Sequence, residues 1–209
     1  MMDYRQKITE EAALMFRTYG IRAVTMDMLA NRMGISKKTI YEVFRDKDEL
    51  LQGVLRLMIL RQKDVMNKIL DESENVIEAI LKMLDKMIDH LQFMSPAFQL
   101  DIRRYHNEFA DKLNSGEGIP FYQDKVEIIK KGIKEGLFRE DIDIDITNKC
   151  ITEVLKIPYD KNVFSPDGLP DKDILRNFYV NFIRGISTPK GLDLIAFYEK
   201  KQNINEQNR

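Results

Sequence analysis

Apolar residues recur at every third or fourth position over most of this chain, and this spacing predicts amphipathic helices. The first stripe covers residues 4–19 and ends before Gly20, which suits the left-handed position that follows a helix. A second helix after Thr25 and a third over residues 37–44 are separated by Gly34. The core positions expected from the periodicity are Ile8, Ala12, Leu14, Met15, Phe16, Met28, Leu29, Met33, Ile40, Val43 and Phe44. Three short helices joined by tight turns are typical of a helix-turn-helix domain.

The rest of the chain keeps the helical spacing, so the sequence predicts an all-α fold with two helical domains. Asp46 and Glu49 have the spacing of a capping box and open a long fourth helix. Further on, three isoleucines alternate with aspartates, which we interpret as a loop in which Asp145 caps the next helix. We place the domain boundary so that one domain covers residues 1–46 and the other covers residues 47–209.

The bulk composition is that of a globular protein and gives no argument for a nucleic-acid partner. The chain has 209 residues, is 44% hydrophobic and carries a formal net charge of −1. Its first 51 residues contain nine Lys and Arg against eight Asp and Glu, so any contact with DNA must depend on local placement. We see neither a signal peptide nor a stretch long enough to span a bilayer, and we therefore expect a cytoplasmic protein without a membrane partner.

Few residues are of the types that carry redox, metal or catalytic chemistry. Cys150 is the only cysteine, and we expect a small buried hydrophobe there, with a redox sensor as the alternative. His90 and His106 are the only histidines, and neither has a carboxylate at metal-ligand spacing on a common helix face. The sequence also lacks a phosphate-binding glycine loop, a nucleophile elbow and a Cys–His pairing. We expect no metal, no cofactor and no catalytic residues, and therefore not an enzyme.

The start of the third predicted helix has an unusual charge. Ser36 is a natural N-cap, because its hydroxyl oxygen accepts a hydrogen bond from a free backbone N–H of the first turn. Lys37 and Lys38 then lie at the positive end of the helix dipole, where a cation is disfavoured by about 0.3–1 kcal/mol. An anionic partner across the helix start reverses this effect, and DNA phosphate is such a partner. The alternative is two solvated lysines near a helix end.

The first quarter of the chain also follows a known pattern in order and in spacing. The matching positions are Ile8, Ala12, Phe16, Gly20, Thr25, Ala30, Gly34, Ile35, Ser36, Lys37, Thr39, Ile40, Tyr41, Phe44, Lys47, Asp48, Glu49 and Leu50. Here the chain resembles the TetR/AcrR family of transcriptional repressors, whereas the other three quarters match it only in length and helical character. The resemblance implies a homodimer that binds double-stranded DNA, and a C-terminal domain whose small-molecule ligand weakens the DNA complex.

The resemblance further implies DNA contacts from three helix surfaces: the start of the second, the exposed face of the third and the start of the fourth. Hydroxyl groups, lysines and helix N-termini supply such phosphate and base contacts. The predicted DNA-binding residues are Thr25, Ser36, Lys37, Lys38, Thr39, Tyr41 and Lys47. The alternatives are a plain N-cap at Thr25, a half-buried aromatic at Tyr41 and a solvated lysine at Lys47.

The last large predicted helix is apolar on two sides, so it needs two partners. One partner is the core of its own subunit, and we expect the other to be the same helix of a second subunit. The predicted interface residues are Phe178, Tyr179, Phe182, Ile183 and Ile186. The alternative is a central helix buried within a single chain.

The C-terminal domain is rich in soft and aromatic side chains that are suited to an apolar cavity. They are Met83, Met87, Phe93, Met94, Phe98, Tyr105, Phe109, Phe121 and Tyr122. Such residues are more often plain core, and Arg103, Arg104 and His106 are more often solvated than bound to an acidic ligand, so the ligand residues stay unassigned.

The sequence thus favours a ligand-responsive transcriptional regulator, a repressor by resemblance. A helical protein-interaction adaptor and an activator of the same fold are the alternatives. The effector, the operator and the regulated genes are not given by the sequence.

Overall fold

The computed structural model describes residues 4–92, 95, 97, 98, 100, 101, 121–156 and 172–207. Nine helices have both ends within this part of the chain, and residues 97, 98, 100 and 101 are helical as well. They are α1 (Tyr4–Tyr19), α2 (Met26–Met33), α3 (Lys37–Val43), α4 (Lys47–Glu72), α5 (Val76–Gln92), α6 (Phe121–Lys134), α7 (Ile144–Lys156), α8 (Lys172–Ile186) and α9 (Pro189–Gln207). The only β pairing in the described ranges is an isolated bridge between Phe138 and Ser187. The predicted all-α fold is therefore confirmed.

The chain divides into two units by its internal packing. The N-terminal unit comprises Met1–Val65 and Gln92–Ile119, and the C-terminal unit comprises Met66–Leu91 and Pro120–Arg209. The domain boundary predicted after residue 46 is of another kind, because it separates a DNA-binding part from the rest by function and not by packing. This boundary stays a prediction.

The core of the N-terminal unit forms where the apolar faces of α1, α2 and α3 meet. The periodicity of α1 places Ile8, Ala12 and Phe16 on one side, and all three are buried. The other buried members of this cluster are Ala13, Met15, Ile21, Val24, Met26, Leu29, Ala30, Ile40, Phe44, Leu50, Leu51, Val54 and Phe98. This core fixes the direction in which the opposite face of α3 points.

Two glycines end α1 and α2 as expected. Gly20 has a φ of 87° and Gly34 has a φ of 66°. Both lie in the left-handed region, which residues with a Cβ rarely adopt. The Gly20 amide donates to the Phe16 carbonyl at 2.9 Å, and the Gly34 amide donates to the Asn31 carbonyl at 3.2 Å. At Gly20 an added Cβ would also stand 2.9 Å from the Cβ of Ala97. The sharp turn between α2 and α3 is thus built into the backbone.

Two residues that were predicted to lie in the core are exposed instead, so these two predictions are wrong. Leu14 is 49% exposed and Met28 is 41% exposed. At 3.6 residues per turn, Leu14 lies about 120° from Ile8 around α1, outside the buried stripe. Met28 lies on the side of α2 opposite its buried residues Met26, Leu29 and Ala30.

The start of α4 is capped as predicted, with one change of detail. The Glu49 amide donates to Asp46 Oδ1 at 2.8 Å, which is the N-cap bond. The Glu49 carboxylate accepts from the backbone amide of Arg45 at 2.8 Å, one residue earlier than in a standard capping box. Arg5 of α1 donates to the same carboxylate at 2.8 Å, so this cap also fastens α4 to α1.

The C-terminal unit has its own core, built around the apolar stripe of α5. Its buried members are Val76, Ile77, Leu81, Leu84, Ile88, Leu137, Phe138, Leu175, Tyr179, Val180, Ile186 and Ile195. The helical spacing predicted for this part of the chain is confirmed in α5, where Ile77, Leu81, Leu84 and Ile88 are all buried at intervals of three or four residues. This core holds α5 and α8 in one unit.

Two expectations about α7 are wrong. The helix begins at Ile144, so its cap is Asp143, whose Oδ1 accepts from the Ile146 amide at 2.8 Å, and Asp145 lies within the first turn. Ile146 is 60% exposed, and Cys150 is exposed rather than a buried hydrophobe. The cause is that Thr147 and Asn148 are both buried, which turns the buried face of α7 away from Cys150.

Within the described ranges, no helix is long and apolar enough to cross a membrane. In the same ranges, no group of three or more His, Cys, Asp or Glu side chains is placed to hold a metal ion. Several residues considered for the ligand pocket lie outside this part of the chain, namely Phe93, Met94, Arg103, Arg104, Tyr105, His106 and Phe109.

Candidate nucleic-acid interface

The start of α3 is held by Ser36. This residue has the extended backbone of an N-cap, and its Oγ accepts from the Thr39 amide at 3.0 Å. The hydroxyls of Ser36 and Thr39 also lie 2.8 Å apart, within hydrogen-bond distance. Ser36 therefore orients the first turn of α3, and its hydroxyl is already used by the helix.

The two sides of α3 differ sharply in burial. Ile40 is fully buried, and so is Phe44, which follows the helix. On the other side the Lys38 side chain is 86% exposed. Tyr41 is 45% exposed. The outward face of α3 thus carries a cation and a phenol, a combination that suits phosphate and base edges.

Lys37 has a partner within the N-terminal unit. Its Nζ donates to Asp27 Oδ2 of α2 at 2.7 Å, and this hydrogen bond raises the pKa of the lysine. The charge of Lys37 at the start of α3 therefore has an anionic partner within its own unit even without DNA. Lys38 is held more loosely, with Nζ 3.9 Å from Glu42.

Thr25 caps α2 while remaining exposed. Its Oγ1 accepts from the Met28 amide at 3.1 Å, so the residue is an N-cap as predicted. The hydroxyl hydrogen is not needed for that bond, and the start of α2 lies at the surface. Capping and phosphate contact are therefore compatible at this position.

Lys47, the first residue of α4, is partly buried. Its Nζ donates to the Arg22 carbonyl at 3.4 Å. Partial burial lowers the pKa of Lys47, and the charge of Asp101 opposes this shift. The alternative of a freely solvated lysine is not what the geometry shows.

Arg22 is a candidate DNA contact that sequence reasoning missed. Its amide donates to Asp101 Oδ2 at 2.9 Å, and its guanidinium Nε lies 3.7 Å from Asp101 Oδ1 while the side chain stays 62% exposed. Arg22, Lys47 and Asp101 therefore form one cluster. The signal was weak, because Arg22 lies in a turn without periodicity and Asp101 is 79 positions away along the chain.

The predicted interface residues of α8 differ in exposure. Tyr179 and Ile186 are buried within the C-terminal unit, whereas Phe178 is 42% exposed. Phe182 and Ile183 are partly buried and pack against the core of this unit. Contact with a second subunit stays a prediction at all five positions.

The C-terminal unit contains a cavity of about 220 Å³. Its lining residues are Met66, Asn67, Leu70, Ile80, Leu81, Met83, Leu84, Met87, Lys125, Glu127, Ile128, Tyr179, Val180, Phe182 and Ile183. Met83 and Met87 were among the soft side chains considered from the sequence, whereas Phe98 belongs to the core of the N-terminal unit. A mostly apolar cavity with a few polar groups is typical of a small-molecule site.

The chain is similar in sequence to known bacterial regulatory proteins. Residues 8–54 match the family described as "Bacterial regulatory proteins, tetR family". The repressor KstR2 of Mycobacterium tuberculosis is 27% identical to this chain over 161 residues, which cover 71% of the chain and 76% of the repressor.

Two solved structures extend the likeness of fold to most of the chain. The ketosteroid transcriptional regulator KstR2 of Mycobacterium tuberculosis covers 90% of this chain and 97% of its own, with 23% identity and a TM-score of 0.56. A transcriptional regulator from Saccharomonospora viridis, solved in complex with choline, covers 88% of this chain and 97% of its own, with 20% identity and a TM-score of 0.61.

Proposed function

This chain belongs to the TetR family of bacterial regulatory proteins, and from this premise we propose that it is a ligand-responsive repressor that acts on DNA in the cytoplasm. It binds a palindromic operator as a homodimer and leaves it when a small molecule binds. No catalytic role is proposed, because its relatives are regulators and the outward face of α3 is suited to binding.

The observation that carries the proposal is the two-sided character of α3. Ile40 and Phe44 anchor the helix in the core, and Ser36 fixes its first turn. Lys38 and Tyr41 are left exposed on the opposite side. An anchored helix with an exposed cationic tip is what a recognition helix needs in order to enter a major groove.

A second surface supports contact with phosphate beside α3. Thr25 opens α2 and Lys47 opens α4. The backbone carbonyl of Arg22 accepts from Lys47, and the side chain of Arg22 is exposed. Hydroxyls, basic side chains and helix N-termini make phosphate contacts that set the register of a protein on DNA without reading sequence. We propose that these three residues fix the depth and angle at which α3 docks.

We propose a homodimer because the recognition surface of one subunit is too small for tight binding to DNA. Helix-turn-helix dimers bind two half-sites about 34–36 Å apart, so that the two-fold symmetry of the protein matches a palindrome. We propose that α8 contributes to the dimer through Phe178, its exposed aromatic residue.

The small-molecule response is proposed to work by a shift between two conformations of the dimer. The relative from Saccharomonospora viridis, solved with choline, supports a small-molecule ligand for this chain. A ligand that prefers the conformation with mis-spaced recognition helices removes the DNA-competent state. Switching from 99:1 to 1:99 requires about 5.5 kcal/mol of differential affinity.

The test is binding to duplex DNA taken from the region upstream of the protein's own gene, measured by fluorescence anisotropy across a salt series. We expect the wild type to bind a fragment that contains an inverted repeat. The Lys37→Ala/Lys38→Ala double variant should lose about tenfold or more in affinity, and its salt slope should fall by about 2.

The matched control is Lys130→Ala/Lys131→Ala, which removes two surface lysines from α6 in the C-terminal unit. It should bind DNA as the wild type does. Absence of binding to any duplex in dilute salt, or equal binding by the α3 double variant, would overturn the proposal and favour a protein-interaction adaptor.

A further inference from the structure

We propose that the cavity of the C-terminal unit takes a small amphipathic anion, a carboxylate with an alkyl body of medium length, and that Lys125 receives its head group. This inference rests on the proposed function, because it names the class of molecule that would release the repressor.

The wall of the cavity is suited to an alkyl chain. Methionine, leucine, isoleucine and phenylalanine side chains from the end of α4, from α5, α6 and α8 form most of it. Met83 and Leu84 are buried, and Ile80, Met87 and Phe182 are partly buried. Flexible methionines adapt their shape to an unbranched ligand at little cost.

The polar and charged residues of the lining differ in burial. Lys125 is partly buried, whereas Glu127 and Asn67 are exposed. The charge of Glu127 is shared with Lys130, whose Nζ lies 3.0 Å from its carboxylate. Lys125 lines the cavity, and a lysine can lay its stem along apolar surface while its ammonium meets an anion.

A polar group behind Lys125 supports a binding role. Lys125 Nζ donates to Thr152 Oγ1 at 3.0 Å, so the ammonium is held in place on α7. One turn earlier on the same face of α7, Asn148 is fully buried, and its side-chain amide has no hydrogen-bond partner among the described residues. A buried amide without a partner is costly in a protein interior, and it calls for an explanation such as a bound water or ion.

The size of the cavity limits the ligand. An apolar cavity of about 150 Å³ takes benzene, so about 220 Å³ has room for roughly nine non-hydrogen atoms. The eight carbons of an eight-carbon acid fit this limit, and its two carboxylate oxygens are the atoms that Lys125 would bind. A bulky polycyclic molecule is too large unless the cavity opens.

The experiment compares three probes that share one alkyl chain: octanoate, 1-octanol and octylammonium. Binding of each to the full-length protein is measured by isothermal titration calorimetry at pH 7.5. We expect octanoate to bind at least about tenfold more tightly than 1-octanol, with octylammonium weakest, because only the carboxylate forms an ion pair with Lys125.

Two variants and a control test the assignment of residues. Lys125→Gln keeps a donor for Thr152, and it should bring the affinities for octanoate and 1-octanol within about threefold of each other. Lys134→Gln, which changes an exposed lysine on the same helix but outside the cavity lining, should keep the wild-type preference. Ile80→Trp fills the cavity and should weaken all three probes. Circular dichroism confirms that each variant is folded.

The inference is overturned if octanol or octylammonium binds as tightly as octanoate, if Lys125→Gln keeps the preference, or if none of the probes binds. DNA binding of the same preparation is measured in parallel without probes. Retained DNA binding with a failed probe series removes only this inference, whereas loss of DNA binding removes the proposed function itself.

Discussion

Lys37 is bound by a carboxylate of its own unit, and this pairing sets how available the residue is for DNA. Its Nζ lies 2.7 Å from Asp27, and both side chains are about half exposed or more. Contact with a phosphate must therefore compete with Asp27. The free energy needed to break the Lys37–Asp27 ion pair is therefore subtracted from the free energy of DNA binding.

The variant Asp27→Asn tests this competition. Exposed ion pairs are weak, so releasing Lys37 should raise the affinity for the operator by about 1.5- to 5-fold at fixed salt. Fluorescence anisotropy in dilute salt measures the change. The control is Glu72→Gln, which removes the acid of a loose Lys–Glu pair at the far end of α4. Equal or weaker binding by Asp27→Asn would show that Lys37 does not leave its partner for DNA.

Residue types at the candidate interface could be predicted, but their partners could not. Ser36 and Thr25 cap their helices within three positions of sequence, so local spacing was sufficient. The pairs Lys37–Asp27 and Arg22–Asp101 depend on how separate helices cross. No periodicity in one sequence carries that information.

At the scale of the element, the carboxylates of Asp46 and Glu49 stabilise the N-terminus of α4. Hydrogen bonds from the Glu49 amide and from the Arg45 guanidinium lower the pKa of Asp46. Hydrogen bonds from Arg5 and from the Arg45 amide lower the pKa of Glu49. Because both pKa values are lowered by folding, the ionised forms stabilise the fold above the ordinary carboxyl value of about 4, and this stability is lost as the pH falls through the lowered values.

We therefore expect the melting temperature to fall on acidification from pH 5 to pH 3, and this fall should be smaller in Asp46→Asn/Glu49→Gln. The double variant should also melt about 2–4 °C lower at pH 7, because the cap bonds are weakened. Circular dichroism at a series of pH values measures both effects. The acids at the other end of α4 give the control, Asp71→Asn/Glu72→Gln, which should keep the wild-type dependence on pH. Equal slopes in all three proteins would contradict the prediction.

Element boundaries were predictable wherever a cap is local in sequence. The span of α1 and the turn at Gly34 followed from spacing and from the backbone freedom of glycine. The start of α7 did not, because Asp143 and Asp145 are equivalent by residue type and only the observed helix start distinguishes them. The exposure of Cys150 was unpredictable for a related reason, since two polar residues of α7 are buried in its place.

At the scale of the whole molecule, α8 was predicted to be apolar on two sides and to have one partner on each side. Of the five residues predicted for the dimer interface, Tyr179, Phe182 and Ile183 line the cavity of the C-terminal unit. Ile186 is buried in the core of the same unit. Apolar spacing in α8 identified a helix with two partners, but it could not say which side faces a ligand and which faces another subunit.

Phe178 is consequently the predicted interface residue that can test dimerisation without disturbing the core. It is exposed on α8, and its ring meets Tyr179 edge to face at a centroid distance of 6.0 Å. Phe178→Glu places a charge on the exposed face, and we expect the dimer to dissociate into folded monomers in sedimentation velocity runs. Operator affinity should then fall by about 100-fold or more, because each half-site is bound without the help of the other.

Phe197→Glu is the matched control, because Phe197 of α9 is 58% exposed and lies outside the predicted interface. If apolar exposure alone caused association, both variants would dissociate, since each replaces an exposed phenylalanine by the same charge. If α8 forms the interface, only Phe178→Glu becomes monomeric and loses operator affinity. A dimer that survives Phe178→Glu would mean that the second apolar side of α8 is needed only for the cavity and the core of its own subunit.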